Sequence, residues 1–299
     1  MSIILNGCIP KDYTEGLQTM ECIKMNIHWS YYLLVALVIT GYLLLVWLHG
    51  RRLMHPEQAG KIGFLQVFGL GVLAGHAVLL SSWVYLAIGY SLYTGSPHVG
   101  LLTVFSQMTW LCALLVWLLS VRTGQSHLQI LTSLLAGISI PLALFVPDGG
   151  TMALPSHPQE IIHILLAMLS LGVVFLATLQ SILVVLNERV LRNTRFARYL
   201  HVFSPLASME TFLFQLIWLG FILLTLLLLS SLYVFHDLWS AHLFSKTLIS
   251  IATWLVFAGL LFGRYLFGWR GLMATRFTLL GMLLLGCLMV FSLNYSGLS

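Results

Sequence analysis

A chain of 299 residues that is 59% hydrophobic and only 8% charged is not a water-soluble globular domain. No polar segment between its apolar runs exceeds ~25 residues, so nothing outside a membrane is long enough to fold alone. The formal net charge of +5 comes from arginines grouped in loops with no aromatic-interleaved basic face, which excludes nucleic acid as a partner.

Residues 1–24 form a polar extension unlike the rest of the chain. Met25, or equally Met20, is expected to be the start, and residues 25–299 are expected to form a single membrane domain. Cys8 and Cys22 lie in the extension and could pair if it is made and meets an oxidising compartment. Apolar runs follow at 29–48, 63–87, 99–121, 128–146, 161–186, 211–234, 247–266 and 277–294. Each is near or above the ~20 residues that a helix rising ~1.5 Å per residue needs to cross the hydrocarbon. Only helices and closed barrels satisfy their backbone groups in lipid, and runs this long without period-two alternation are not barrel strands. The sequence predicts an all-α polytopic membrane protein with eight transmembrane helices. Arg51 and Arg52 follow the first run instead of preceding it, so that run is expected to remain a helix and not to be cleaved as a signal peptide.

The loops orient the bundle. Arg51, Arg52 and Lys61 fall in the first, Arg122 in the third, Arg189, Arg192, Arg195 and Arg198 in the fifth, and Arg270 in the seventh, flanked by Arg264 and Arg276. The second and fourth carry none, and the sixth has only Lys246 at its end. Basic residues in short loops mark the cytoplasmic side, so both termini are expected outside.

Other chemistries leave no trace. Cys112 and Cys287 lie inside apolar runs, where a thiol packs as a small apolar group. No C-x-x-C is present, so neither thiol exchange nor covalent haem (heme) attachment to this chain is indicated. Pro141 in the fourth run has no counterpart in the eighth, against a repeat of the transporter kind. No Asp, Glu or Lys occupies the centre of a run, which disfavours ion-coupled transport.

Among the polar residues at depth are Gln66, His76, Ser81 and Ser82 in the second run, Ser106, Gln107 and Thr109 in the third, His163, Thr178, Gln180 and Ser181 in the fifth, and Gln215 in the sixth. His76 lies midway along its run, behind Gly71 and Gly75, a small-xxx-small pair that suits a face packed on protein. An imidazole there must find a partner. It can be a neutral histidine bonded to a side chain such as Gln107, a haem or metal ligand, or a proton relay. His163 follows Pro158 and Glu160 about one turn into the fifth run, where it can reach a ligand in the outer interface or simply sit there as an interfacial histidine. His28, His98, His157, His163, His236 and His242 all fall on the expected outer side. Imidazoles without thiolates suit haem iron, copper or zinc. None has the spacing of a preformed helical metal site.

In the fifth loop the arginines recur every three residues with Leu191, Phe196 and Leu200 between them, which predicts a helix lying on the inner membrane surface. Ser204-Pro205 then predicts an N-cap and first-turn proline for the sixth span.

Several motifs, taken in order, carry a resemblance. Pro205-Leu206-Ala207-Ser208-Met209-Glu210 leads into Leu219-Gly220-Phe221-Ile222-Leu223-Leu224-Thr225. Lys246-Thr247-Leu248-Ile249-Ser250, Trp254-Leu255-Val256-Phe257 and Gly268-Trp269-Arg270-Gly271 follow. Together they resemble the C-terminal half of the bacterial cytochrome c assembly protein family, of the CcsA/HemX type. His163 with the run after it is similar to the family's helix that opens on an outward-facing histidine, and His76 matches a histidine in the second span of the eight-span, HemX-like inner-membrane branch. The resemblance covers residue 25 to the end.

It implies a multi-pass protein of the bacterial cytoplasmic (inner) membrane that binds or delivers haem non-covalently during cytochrome maturation. His163 and His76 would be its haem-binding residues, and other maturation proteins its partners besides the lipid bilayer. Synthetase members cradle haem in a tryptophan-rich outer loop of the W-G-W-D kind, whereas residues 235–245 offer only Trp239. Those members also carry a membrane histidine where this chain has Phe262 ahead of Gly263-Arg264, and an outer histidine after the last span, where this sequence reads Gly297-Leu298-Ser299. The expectation is therefore an accessory protein with no catalytic residues and no metal site beyond haem, not an enzyme. A haem-free structural or regulatory subunit and a transporter of a small solute or metal are the alternatives.

Overall fold

The computed structural model describes residues 29–54, 62–94, 98–123, 126–146, 151–153, 158–192, 205–234 and 241–296. The helices are α1 (Trp29–Met54), α2 (Ile62–Thr94), α3 (Leu101–Thr123), α4 (Ser126–Phe145), α5 (Pro158–Arg192), α6 (Leu206–Val234), α7 (Ala241–Phe267) and α8 (Gly271–Ser296). Eight helices among the described residues are long and apolar enough to cross a membrane, as the run lengths predict. Most extend beyond their apolar runs, because backbone hydrogen bonding continues into the interface until a breaking residue intervenes. Two three-residue strands, β1 (His98–Gly100) and β2 (Thr151–Ala153), were not expected; they pair antiparallel, with Val99 opposite Met152.

The helices form two four-membered rings. In the first, α1 packs on α2 and α4, and α3 closes the ring against the same two; in the second, α5 packs on α6 and α8, and α7 closes it. Each ring has its own apolar core, one around Val38, Leu45, Leu73 and Ile140, the other around Leu176, Leu213, Phe257 and Leu260. The seam between them runs from α3 to α5, where the Cys112 thiol donates to the Gly172 carbonyl at 3.2 Å. The strand pair bridges the rings at one end, since β1 lies against α2 and α3 and β2 against α8.

Within the first ring, close approach of α1 and α2 depends on Gly75, where a Cβ would stand 2.8 Å from Val38 Cγ2. Gly71, expected to share that role, faces open space, because the contact one turn away is made by Gly41 of α1 against Val72. In the second ring the turn between α7 and α8 runs through Gly268 and Gly271, at φ 65° and 47°, where a Cβ would be strained. The Arg264 guanidinium sits 4.1 Å from the centre of the Phe214 ring and donates to the Trp269 carbonyl at 3.1 Å, tying that turn to α6.

The amide groups of Ser208 and Met209 both donate to the Pro205 carbonyl, so Pro205 itself stands at the cap and α6 begins one residue later than the sequence predicts. Ser204, Arg195, Arg198 and the surface helix expected there lie outside the described residues, as do the extension 1–24 and most of the sixth loop.

Candidate functional site

His76 is fully buried in the centre of the first ring, and both of its ring nitrogens are engaged. Nδ1 lies 3.0 Å from the Tyr42 hydroxyl of α1 and Nε2 3.1 Å from Ser106 Oγ of α3. Ser106 Oγ is 3.2 Å from Ser139 Oγ of α4, so this one side-chain chain joins all four helices. One assignment of protons satisfies every group at once. Ser139 donates to the Ala136 carbonyl at 2.8 Å, which leaves its oxygen to accept from Ser106; Ser106 then accepts from His76 Nε2–H, and Nδ1 accepts from Tyr42. Thr109 adds a hydroxyl 2.9 Å from Ser139. The partner is not Gln107: the imidazole is bonded on both sides by hydroxyls from neighbouring helices.

His163 has a different setting. α5 opens on Pro158, whose missing N–H costs nothing in the first turn, and Glu160 places negative charge at the positive end of the helix dipole. His163 follows on the second turn, half-buried, with Nδ1 2.8 Å from Ser230 Oγ near the end of α6. Ser230 donates its single proton to the Leu227 carbonyl at 2.8 Å. With that proton on the carbonyl, Ser230 accepts from His163 Nδ1–H, the tautomer whose lone pair is on Nε2. Ile162 and Leu165 beside it on α5, and Leu226 and Leu229 on α6, present exposed apolar surface at this end. An imidazole oriented by a hydroxyl beside an apolar surface is a donor type that haem iron takes.

The structure places the two histidines in separate rings. His28, His157 and His236 lie outside the described residues, and no side-chain geometry is described for His98 or His242. Among the described residues no group of three or more His, Cys, Asp or Glu could hold a metal ion.

Sequence reading missed two features. Tyr42 and Ser139 complete the His76 layer but look like ordinary residues of apolar runs; only their helical phase relative to other helices reveals them. His49, near the end of α1, is 5% exposed, and neither ring nitrogen has a hydrogen-bond partner among the described residues. Its place beside Arg51 and Arg52 reads in sequence as the start of a polar loop, which hid its burial.

A family model described as "Cytochrome C assembly protein" matches residues 73–299, which include both histidines. The inner membrane protein YpjD of Escherichia coli K12 is 32% identical over 148 residues, 50% of this chain and 56% of that protein. The YpjD proteins of E. coli O6:H1 and O157:H7 match to the same extent. The alignment thus spans about half the length of the curated relatives. No solved structure matches.

Proposed function

This chain belongs to the cytochrome c assembly protein family, and from that premise we propose that it binds haem non-covalently and holds or delivers it during cytochrome maturation, without forming the covalent bond itself. The observation that carries the reading is the His163–Ser230 pair. Iron takes a neutral imidazole through an unprotonated nitrogen, and the Ser230 hydroxyl, 2.8 Å from Nδ1, orients the His163 ring for that role. Bound haem would supply a redox-active iron; the chain's own part is to present one basic nitrogen in a fixed orientation beside apolar side chains that accept the porphyrin face. His76 does not fit this role, because ligation would break a hydrogen bond on one side or the other of a fully buried ring.

With eight helices able to cross the bilayer and relatives named as inner membrane proteins, the protein resides in the bacterial cytoplasmic membrane. The alternation of basic loops supports an outward-facing His163 end. The single tryptophan in residues 235–245 supports an accessory role over a ligase.

The test is an absorption spectrum of the full chain purified in mild detergent from haem-replete cells. A Soret band that is lost or displaced in His163→Ala, with the protein still helical, is the expected result. Absence of the band from folded wild-type protein overturns the proposal in favour of a haem-free subunit, and solute flux dependent on the His76 layer would favour a transporter.

A further inference from the structure

On the outer surface of the first ring, α1 and α2 leave a groove of about 580 Å³ open to the bilayer. Leu37, Gly41 and Leu44 line one wall and Val67, Phe68 and Gly71 the other. The only hydroxyl in it, on Thr40, is turned back to the carbonyls of Ala36 and Leu37, so the groove makes no polar demand on what fills it. Gly71 gives it depth, since no atom lies within 4 Å of where its Cβ would be.

The lining residues of α1 recur at spacings of three and four, and the same face continues one turn to Trp47 and two turns to Arg51. Trp47 is 52% exposed, and the Arg51 guanidinium lies 4.8 Å from the centre of its ring. Across from them on α2, Phe64 is exposed and stacked on Phe68 at 6.2 Å, extending the apolar wall toward the same end. An apolar channel thus ends in an aromatic rim and an exposed cation at the level where a helix leaves the hydrocarbon. That is the order of chemistry along a phospholipid: acyl chain, ester region, phosphate.

We propose that this groove is a binding site for an anionic phospholipid, with an acyl chain between α1 and α2 and the headgroup phosphate on Arg51. A concave apolar surface facing the bilayer is filled by hydrocarbon chain, and a guanidinium matches a phosphate oxygen pair. A partner helix would need no cation continuing the groove's own face.

The test is native mass spectrometry of the full chain equilibrated in detergent with equal amounts of dioleoyl-phosphatidylglycerol and dioleoyl-phosphatidylcholine, which share their chains. Wild type is expected to retain about fivefold more of the anionic lipid, the effect of one basic residue near an anionic surface. Arg51→Gln, a change at an exposed position whose guanidinium meets the exposed Trp47 ring, should bring the two lipids to parity. Gly71→Leu, whose side chain enters open space, should reduce retention of both. Equal retention of the two lipids by wild type, or unchanged retention by both variants, overturns the proposal. So does a wild-type dimer that Gly71→Leu converts to a monomer, which would make the groove a contact between two copies.

Discussion

The Tyr42 phenol and the His76 imidazole, 34 residues apart in the sequence and on successive helices, meet at 3.0 Å, edge to face, in the centre of the first ring. Tyr42 is 1% exposed and His76 0%. Neither can exchange its partner for water, so each determines the other's cost.

Tyr42→Phe removes the donor to Nδ1 while keeping the ring volume. The expected loss is about 0.6–1.7 kcal/mol, the range for side-chain hydrogen bonds between membrane helices, read as a lower midpoint in thermal unfolding. His76→Phe leaves the Tyr42 hydroxyl without its acceptor and takes one of the two partners of Ser106, and should cost more, about 1–3 kcal/mol, with haem content per folded molecule unchanged. Loss of haem in His76→Phe with stability intact would show that the imidazole serves as a ligand.

Ser230→Ala should weaken haem binding without abolishing it. The hydroxyl fixes the His163 tautomer and orientation, and outer partners of ligating histidines are worth about 10–100-fold in affinity. Haem titration of both variants is expected to rank His163→Ala as the more severe, with thermal stability of Ser230→Ala close to wild type. Equal affinity in Ser230→Ala and wild type would remove the tautomer argument.

Gly71 and Gly75 should respond in opposite directions to the same change. Gly75→Ala forces a methyl against Val38, whose branched side chain has one strongly preferred rotamer in a helix, and should destabilise by about 1–3 kcal/mol. Gly71→Ala meets nothing and should be neutral or stabilising by up to about 1 kcal/mol through helix propensity. Thermal unfolding of the pair in one detergent decides it; two equal losses would contradict the packing described.

His49→Leu should raise stability. A buried imidazole with neither nitrogen bonded among the described residues carries a desolvation cost of about 1–3 kcal/mol that an aliphatic side chain of similar reach avoids. A drop in the unfolding midpoint would show instead that water or another polar group serves His49 in the native protein.

Orientation follows from charge alone and is checked by charge-independent reporters. A fusion after Ser299 should behave as external and one within residues 189–198 as cytoplasmic. The reverse pattern would turn His163 to the cytoplasmic side.

What the sequence by itself determined is what local composition controls. Apolar run length sets the number of helices, because each must cross the same thickness of hydrocarbon and satisfy its own backbone. Glu160 and Pro158 mark the start of α5, and the ordered motifs from Pro205 to Gly271 mark the family, all without reference to any neighbour. What only the tertiary structure decided is which faces meet. Helices apolar on nearly every side carry no stripe that names their partner, so the grouping into two rings and the seam at Cys112 and Gly172 were hidden. The same reason separates the two histidines. Each is one imidazole in an apolar run, and their difference lies in hydroxyls of distant segments: Tyr42 and Ser106 engage a fully buried His76 on both nitrogens, whereas Ser230 meets Nδ1 of a half-buried His163. A hydrogen bond between helices is a relation of phase and depth, and neither is written in the order of residues along one strand of chain.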